Sequence, residues 1–558
     1  MAASYLSKLN PVPGFAEYTG PYKVGTVDVE IPVDELQSPA PAPKGTNIET
    51  VQFRIFYPAQ PDARGKRITW LPAPQRNHLA AYVQFVGAGP LLAEAVSFLP
   101  RHLHYTTIPA IKNAPILEPS TPNKRWPTAI FSHGLGGNRN AYSQITGQLA
   151  SHGVVVICPE HRDGSSVASF VRLPSEQHRY FMRDRRREIP YKRIPHDATD
   201  EVNKARCEQL STRLWELGLI HDAILGIDQG AKTTNLNTST PSLDQFTDRL
   251  NVHEPGSIIF GGHSFGATTM VQFLKSVYYG GRPELVAMEE PLYVPSRESS
   301  ICKQITPKNV TILLDMWCFP LLGKKVKALF NLPLPVYADD PTAPGGNGLL
   351  AVQSDAFFKW KEHLHASARV VSPDPSAPVV EAKAFERPSG IKLPEPNYFN
   401  VLNSAHLNQS DFGVLFPWLT KKIFGSGEPE RVLRLNMRAI LQTLRINDIP
   451  IGRTWIGDLV DGTSENKLSA DNQDLTPGNE GTGDGINDDK AILDRSGKSG
   501  VESWSWVDIV GLGDKFGDSG ETKDDKTNVE AQEPDMADEI EPQVTEGEAV
   551  KTVMSNAA

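Results

Sequence analysis

Residues 262–266 read Gly-His-Ser-Phe-Gly and match the pattern G-x-S-x-G, in which a serine can act as a nucleophile. The preceding run 256–261 is apolar enough for a short buried strand, and residues 267–278 carry apolar side chains at helical spacing. Ser264 is therefore expected on a sharp strand-to-helix turn, where a glycine two residues before it and another two residues after it allow close backbone packing. This arrangement indicates covalent catalysis by a serine hydroxyl.

A serine hydroxyl is a poor nucleophile at neutral pH, so Ser264 needs a histidine base and an acid that holds the histidine tautomer. For a nucleophile on this kind of turn the chain order is serine, acid, histidine, which leaves His363, His365 and His406. The first two lie in a charged, helix-like segment and are expected at the surface. His406 follows the strand-like run 398–402 through a short loop and is the candidate base.

Two acids are candidates for the third position. Asp315 ends the strand-like run 310–314, and Asp355 follows the later run 348–352 after two residues. Either carboxylate would lie at the carboxyl end of a strand, and the one that is not used would be a helix cap. Periodicity leaves both open.

An acyl-transfer site also needs two backbone N–H groups directed at the developing oxyanion. Phe265, directly after the nucleophile, would supply one of them. The other is expected from residues 131–137, which read Phe-Ser-His-Gly-Leu-Gly-Gly and follow a strand-like run, with the N–H of Leu135 as the candidate donor. The loop matches neither common phosphate-binding glycine pattern, so phosphate binding is the weaker interpretation.

The elements that must position these residues follow an α/β pattern. Apolar, β-rich runs alternate with longer helix-like segments, which predicts the α/β-hydrolase fold: a mostly parallel central sheet with helices on both faces. Strands are expected at 52–57, 128–132, 154–158, 257–261, 310–314, 348–352 and 398–402. Helices are expected at 140–152, 202–230, 265–278, 356–365, 415–422 and 430–445.

Residues 79–99 form the most apolar stretch, but Gly87, Gly89, Pro90 and Glu94 interrupt it, so we do not expect a membrane span. A wall of the substrate pocket or a surface that contacts lipid is one interpretation. An ordinary buried helix pair is the other.

The 558 residues are 39% hydrophobic and 22% charged, enough for a large core. The net charge of −10 is uneven, because residues 461–558 hold 24 acidic against 8 basic side chains, and residues 1–460 hold 42 against 48. We predict a catalytic domain over 1–460 and an acidic, largely disordered tail over 461–558. Within the tail, the apolar island 501–510 could dock on the catalytic domain, a partner or a membrane, or stay without structure.

Four scattered cysteines without a C-x-x-C pair indicate neither a disulfide framework nor a zinc site. The first residues lack the apolar segment of a signal peptide, and Ala2 stands where myristoylation requires glycine. We therefore expect a cytoplasmic protein, with peripheral membrane contact through an apolar surface left open. No nucleic-acid partner, metal or cofactor is expected, and no oligomeric state is predicted.

These motifs, taken in order, resemble those of the platelet-activating factor acetylhydrolase family, of the plasma and type II intracellular kind. The resemblance covers most of residues 20–445. The matching segments are 20–25 (GPYKVG), 54–58 (RIFYP), 131–136 (FSHGLG), 149–153 (LASHG), 160–163 (EHRD), 262–266 (GHSFG), 314–320 (LDMWCFP), 404–408 (SAHLN) and 411–412 (DF).

The resemblance implies a serine esterase that removes acetyl, short or oxidised sn-2 acyl groups from phospholipids through an acyl-enzyme, without calcium or cofactor. It also favours Asp315 as the acid, because the family places this residue in an Asp-x-Trp-x-Phe-Pro segment. We further expect His133, Trp317 and Leu407 to contact the substrate. Residues 161–163 are interpreted as a structural hydrogen-bonded cluster rather than a catalytic one.

The sequence departs from the family in four places. Insertions are expected around 279–300 and at the proline-rich run 373–394, Leu407 stands where glutamine often follows the histidine, and the acidic tail has no counterpart. Because insertions at the mouth of a sheet reshape pockets, acyl preference stays open. A general carboxylesterase or polyester hydrolase is the alternative enzyme, and a non-catalytic lipid-binding scaffold is the alternative from another class.

Overall fold

The structure, a computed structural model, describes residues 14–98, 102–173, 186–196, 199–240, 242–282, 285, 290–416, 428–459 and 485–513. Its strands are β1 (Lys23–Pro32), β2 (Thr50–Ala59), β3 (Arg67–Thr69), β4 (Thr107–Lys112), β5 (Trp126–Ser132), β6 (Val155–Pro159), β7 (Ala168–Arg172), β8 (Arg186–Pro190), β9 (Leu250–Asn251), β10 (Ile259–His263), β11 (Thr311–Leu314), β12 (Leu349–Ser354), β13 (Asn397–Val401), β14 (Thr454–Trp455), β15 (Gly485–Ile486) and β16 (Trp504–Trp506).

Within the described residues, twelve strands form one sheet in the order β16-β13-β12-β11-β10-β5-β6-β2-β1-β4-β3, with β9 beside β5. From β13 to β6 all neighbours are parallel. On one side β2 joins this parallel centre antiparallel, and on the other side β16 does the same. The predicted α/β-hydrolase architecture, with a mostly parallel sheet, is confirmed.

Helices cover both faces of this sheet. They are α1 (Gln75–Phe85), α2 (Pro90–Phe98), α3 (Ser143–Ser151), α4 (Asp200–Asp228), α5 (Phe265–Tyr279), α6 (Ser300–Gln304), α7 (Lys327–Phe330), α8 (Asp355–Lys359), α9 (Lys361–Val370), α10 (Asp411–Leu415) and α11 (Pro429–Ile446). Successive strand residues point to opposite faces, so Ile55 packs in one core cluster with α4 and α5, while Phe56 packs in the other with α1, α3 and α11.

All seven expected strands are present, each with both ends within two residues of the predicted bounds. The strand before Ser264 lies two residues later than expected and ends at His263, directly before the serine. The helix predicted at 356–365 is two helices, because Trp360 has an extended ψ of 89° and ends the first one. The helix predicted at 415–422 lies largely outside the described residues. The described chain there ends at Phe416, directly after α10.

The apolar stretch 79–99 folds as the helix pair α1 and α2, described as far as Phe98. Leu79 and Val96 are among the side chains buried against the domain, whereas Leu91 is 90% exposed and Phe98 60% exposed. The pair is thus neither a fully buried one nor a span. Among the described helices none is both long and apolar enough to cross a membrane.

Residues 485–513 of the predicted tail pack on the sheet, whereas the prediction for residues 461–484 and 514–558 lies outside the described residues. β16 pairs antiparallel with β13, and the Trp504 ring stacks on Phe399 at 4.9 Å. Asp489 forms a buried ion pair with Arg438 at 2.7 Å. The apolar island 501–510 therefore docks on the sheet beside β13, where Val501, Trp504, Val507 and Ile509 are removed from water.

Candidate active site

Ser264 stands on the expected strand-to-helix turn between β10 and α5. Its backbone has φ 55° and ψ −123°, a conformation that non-glycine residues rarely adopt. A Cβ atom on Gly262 would lie 2.5 Å from the backbone of Gly266, and one on Gly266 would lie 2.1 Å from the carbonyl oxygen of Ser132. Glycine is therefore required at both positions for the serine to be presented in this way.

Asp315 and His406 meet beside this turn. Asp315 directly follows β11, the parallel neighbour of β10, and His406 follows β13 after a four-residue loop. The Nδ1 atom of His406 lies 3.0 Å from Oδ2 of Asp315, and the backbone N–H of Ser354 donates to Oδ1 at 2.5 Å. Since the carboxylate accepts from Nδ1–H, the Nε2 atom of His406 is left to take up a proton.

Burial shapes the protonation of this pair. It raises the pKa of the Asp315 carboxyl to about 7, because the charged form is poorly solvated, although His263 and the hydrogen bonds from Ser354 oppose this effect. It also lowers the pKa of the His406 imidazole to about 3. Between these pH values the pair of groups holds one proton more than an ionised carboxylate and a neutral imidazole do.

Asp355, the other candidate acid, has different partners. Its carboxylate lies 2.8 Å from Nζ of Lys359 and accepts the N–H of Asn403 at 3.3 Å. Its own N–H donates to Oγ of Ser404 at 3.1 Å. Asp355 thus begins α8 and holds the loop that precedes His406, whereas Asp315 contacts the imidazole.

His406 lies between two other rings. The Phe357 ring is parallel to the imidazole at 4.5 Å with an interplanar angle of 3°, and the ring of His263 lies 4.4 Å away. The hydroxyl of Tyr142 bonds Nδ1 of His263 at 2.8 Å. These contacts fix the imidazole plane, so that rotation of the His406 ring away from Asp315 is opposed by packing.

The expectation that His363 lies at the surface is wrong. It is fully buried, and its Nε2 atom accepts the N–H of Cys318 at 3.2 Å. The charged neighbours Lys361 and Glu362 lie on the exposed face of α9, whereas His363 lies on its buried face. The charged composition of the segment therefore did not indicate that the His363 side chain is buried. His365 is half-buried and bonds the backbone of Gly513 through Nδ1.

Three of these side chains also approach one another closely enough for a metal ion. Ligand atoms of His263, Asp315 and His406 lie within 4.8 Å of one another. However, one nitrogen of His263 already bonds Tyr142, and the Asp315–His406 contact has the length of an ordinary N–H···O hydrogen bond. The arrangement suits proton transfer better than metal binding.

The loop 133–137 passes directly over Ser264. A Cβ atom on Gly134 would lie 3.0 Å from Cβ of the serine. The N–H of Leu135 makes no hydrogen bond with any described residue, and neither does the N–H of Phe265 at the start of α5. The structure thus leaves two backbone donors unused on the two segments that meet at the serine.

The three residues expected to contact substrate have different positions. Trp317 is buried in an apolar cluster with Phe265 and Phe357, against which Leu135 packs. Leu407 is half-buried. His133 is fully buried, and both ring nitrogens bond protein groups, Nδ1 to the carbonyl of Gly134 and Nε2 to the N–H of His161. His133 is thus placed to support the loop rather than to meet a ligand.

Residues 161–163 form a buried hydrogen-bonded cluster, in line with their interpretation. His161 bonds Glu216 at 2.8 Å, Arg162 pairs with Glu30 at 2.8 Å, and Asp163 pairs with Arg213 at 2.9 Å. The partners of these residues come from distant elements and were missed, as were Tyr142 and Phe357. A charged or aromatic side chain at a buried helix position leaves no local signal of its partner.

Comparison with known proteins places the chain in a family. The model of the family described as "Platelet-activating factor acetylhydrolase, isoform II" matches residues 9–336, more than half of the chain. A putative phospholipase A2 of Schizosaccharomyces pombe is 26% identical over 77% of this chain and 92% of its own length. The platelet-activating factor acetylhydrolase of Canis lupus familiaris is 30% identical over 46% of this chain, and the match spans 50% of the dog protein.

Solved structures similar to the chain include two esterases. The ferulic acid esterase from Streptomyces cinnamoneus shares 13% identity over 78% of this chain and 93% of its own, with a TM-score of 0.40. Thermogutta terrifontis esterase 2 shares 12% identity over 60% and 88% of the two chains, with a TM-score of 0.28.

Proposed function

The chain belongs to the platelet-activating factor acetylhydrolase family of the isoform II type, and from that premise we propose that it is a calcium-independent serine esterase acting on short or oxidised sn-2 acyl groups of phospholipids. The observation that carries the proposal is the 3.0 Å contact between His406 Nδ1 and Asp315 Oδ2 beside the strained turn of Ser264. The similar proteins described above, a putative phospholipase A2 and a platelet-activating factor acetylhydrolase, support the substrate class.

In the first half of the reaction, Ser264 Oγ attacks the ester carbonyl while Nε2 of His406 takes its proton. The carbonyl oxygen becomes negative and accepts hydrogen bonds from the N–H groups of Phe265 and Leu135. The tetrahedral intermediate collapses, the bond to the lysophospholipid oxygen breaks, and His406 returns its proton to that oxygen. An acyl-serine remains on the enzyme.

Water completes the cycle. His406 removes a proton from a water molecule that attacks the acyl carbonyl, and the same two N–H groups stabilise the second oxyanion. When the acyl–serine bond breaks, the proton passes from His406 to Ser264 Oγ, and the carboxylic acid leaves. Throughout, Asp315 holds the imidazole in the Nδ1–H tautomer and stabilises its transient positive charge.

The apolar cluster beside the serine is evidence for a substrate with a short acyl group. Phe265, Trp317 and Phe357 pack together with Leu210, and the half-buried Leu135 closes the cluster next to the loop. A site lined by large rings excludes long chains by volume while binding short ones through apolar contact. We propose that Trp317 of this cluster contacts the acyl group, and contact of Leu407 with the substrate stays a prediction.

The helix pair α1 and α2 is proposed as the face that meets aggregated lipid. Leu91 and Phe98 expose their side chains, and so does Tyr105 just beyond the pair. The Phe85 ring at the end of α1 lies against Gly136 of the loop, where an added Cβ would be 2.6 Å from it. The end of α1 that carries Phe85 thus contacts the loop of the candidate site, whereas the Phe98 ring lies under the guanidinium of Arg76 at the other end of α1. We propose that the pair delivers a lipid ester towards this loop.

A substrate panel tests the proposal. The purified full chain is incubated with an sn-2 acetyl ether phospholipid, a long-chain phospholipid, an aryl acetate and a triglyceride, each with calcium and with a chelator. We expect the acetyl phospholipid to be preferred, with equal rates in calcium and in chelator. Preference for the triglyceride or the aryl ester would favour a general carboxylesterase instead, and no hydrolysis of any ester would contradict an enzymatic role.

A further inference from the structure

The peptide unit that joins His133 to Gly134 is held from both sides. Its carbonyl accepts a hydrogen bond from Nη1 of Arg213 at 2.8 Å, and its N–H donates to the Tyr142 hydroxyl at 3.1 Å. A peptide unit bonded at both ends has a fixed plane, because the atoms of the unit move together. The loop therefore begins from a backbone orientation that two distant side chains determine.

The next peptide unit, between Gly134 and Leu135, is held through its carbonyl. This oxygen accepts from the N–H of Gly137 at 3.2 Å and from Nδ1–H of His133 at 2.8 Å. Since the backbone N–H of His161 donates to Nε2 of the His133 ring, Nδ1 carries the hydrogen. In a trans peptide the N–H points opposite to the carbonyl, so these bonds direct the N–H of Leu135 away from the loop interior.

Arg213, from the middle of α4, also reaches the other half of the site. Its guanidinium lies over the Phe265 ring at 4.6 Å, and Nη1 donates to Oγ1 of Thr269 on α5 at 3.3 Å. One side chain thus touches both the loop that bears Leu135 and the helix whose first N–H belongs to Phe265. The relative position of the two donors depends on this bridge.

The guanidinium is itself firmly fixed. Nε pairs with Oδ2 of Asp163 at 2.9 Å, and Nη2 donates to Oγ of Ser165 at 2.5 Å. Both members of the ion pair are fully buried. A buried charge that is paired and hydrogen-bonded on every side resists displacement, because any shift leaves it unsatisfied.

We propose that Arg213 is a positioning residue for the oxyanion hole: it aligns the Leu135 N–H with the Phe265 N–H over Ser264. The inference rests on the proposed esterase function. Arg213 itself does not contact the substrate. Its role is to stabilise the transition state, where the oxyanion forms, rather than to strengthen binding of the neutral ester.

Arg206 provides a matched control on the same helix, seven residues earlier. It is also buried, and its guanidinium lies 5.8 Å from the Phe265 ring and 5.1 Å from the Trp317 ring. Its described hydrogen bonds go to Gln209 and to the carbonyls of Ile194 and Pro195, and none goes to the loop at 133–137. The two arginines share burial, charge and aromatic packing, but of the two it is Arg213 that bonds the loop and also pairs with a buried carboxylate, Asp163.

The experiment compares Arg213→Met, Arg213→Lys and Arg206→Met on an aryl acetate. We expect Arg213→Met to lower kcat by about 10- to 100-fold with little change in KM, somewhat less than complete loss of one oxyanion donor. A trifluoromethyl ketone, which becomes an oxyanion on the serine, should bind more weakly by the factor lost from kcat/KM. The apparent pKa of the acid limb should not move, because Asp315 and His406 are untouched, and Arg213→Lys should recover part of kcat.

Arg206→Met should keep kcat near that of the unchanged protein, and in urea it should lose less unfolding free energy than Arg213→Met, which leaves the buried Asp163 carboxylate without its cation. Equal losses of kcat in Arg206→Met and Arg213→Met would overturn the inference, as would full kcat in Arg213→Met. If Arg213→Met does not fold, Arg213→Lys, which keeps a cation beside Asp163, carries the test and must lower kcat and ketone affinity together. A wild-type chain without esterase activity would refute the proposed function itself, whereas an active one with these other outcomes refutes only the role of Arg213.

Discussion

The ring of Phe357 lies parallel to the imidazole of His406, with centroids 4.5 Å apart and planes inclined by 3°. Phe357 belongs to α8, which begins at Asp355, and its N–H donates to Oγ of Ser354. The segment that follows β12 therefore supports the histidine by packing, while the carboxylate that bonds the imidazole comes from the neighbouring strand at Asp315. The ends of the adjacent strands β11 and β12 thus both contribute contacts that hold His406.

Replacement of Asp315 by asparagine should nearly abolish hydrolysis. The amide does not hold His406 in the Nδ1–H tautomer or stabilise the imidazolium, so kcat should fall on the order of 10⁴-fold. Burst and steady-state assays on an aryl acetate would measure this loss, with KM changing far less.

Asp355→Asn is the matched comparison, since Asp355 is also a buried aspartate at a strand end but bonds Lys359 and Asn403. We expect the main effect on stability, with kcat reduced by less than about tenfold because only the loop before His406 is loosened. A greater loss of kcat in this variant than in Asp315→Asn would reassign the acid.

Activity should rise with pH through a value near 7. Burial raises the pKa of Asp315 to about 7 and lowers that of His406 to about 3, so the pair keeps one proton at mildly acidic pH. Catalysis needs the pair without that proton, with Asp315 ionised and His406 neutral. The acid limb of kcat/KM should therefore show one apparent pKa near 7 that belongs to the pair. A profile that is level from pH 5 to pH 9 is incompatible with this expectation.

Trp317→Ala should shift acyl preference towards longer chains. Removal of the buried indole opens space next to Phe265 and Phe357, which additional methylene groups can fill. The ratio of kcat/KM for an octanoyl ester to that for an acetyl ester should increase by about tenfold or more. Leu322→Ala, a substitution of an exposed apolar residue a few positions later, is the control and should leave the ratio unchanged.

Trp504→Ala should destabilise the catalytic domain although the residue lies in the acidic C-terminal segment. Loss of its stacking on Phe399 and of its buried volume should reduce the unfolding free energy by about 3–5 kcal/mol. Urea unfolding would measure the change. Ser505, its exposed neighbour in β16, is the control position, and equal stability of Trp504→Ala and Ser505→Ala would show that β16 does not contribute to the fold.

The parallel centre of the sheet was predictable from sequence because each strand is a short apolar run followed by a polar loop. The antiparallel extension was harder to predict. In β1, Glu30 is buried and pairs with Arg162 and Arg172, so the polar residues of an alternating strand face another layer of protein rather than water. Such ion pairs connect residues more than a hundred positions apart and leave no local trace.

The candidate site shows the same division. The turn at Ser264 follows from two glycines and a periodic helix, which are local features. The choice between Asp315 and Asp355 is not local, because β11 and β12 end side by side and each presents an aspartate. The bridge formed by Arg213 depends on how α4 crosses the sheet, and nothing in its own sequence neighbourhood indicates the carbonyl of His133 as its partner.

The most direct test of the central claim is mapping of covalent modification after reaction with a fluorophosphonate. We expect one equivalent of label per chain, carried by the peptide that contains Ser264, with hydrolysis lost in step with labelling. Ser264→Ala should take up no label, keep its fold and lose about 10⁶-fold in kcat. Labelling at another residue, or hydrolysis retained by folded Ser264→Ala, would contradict it.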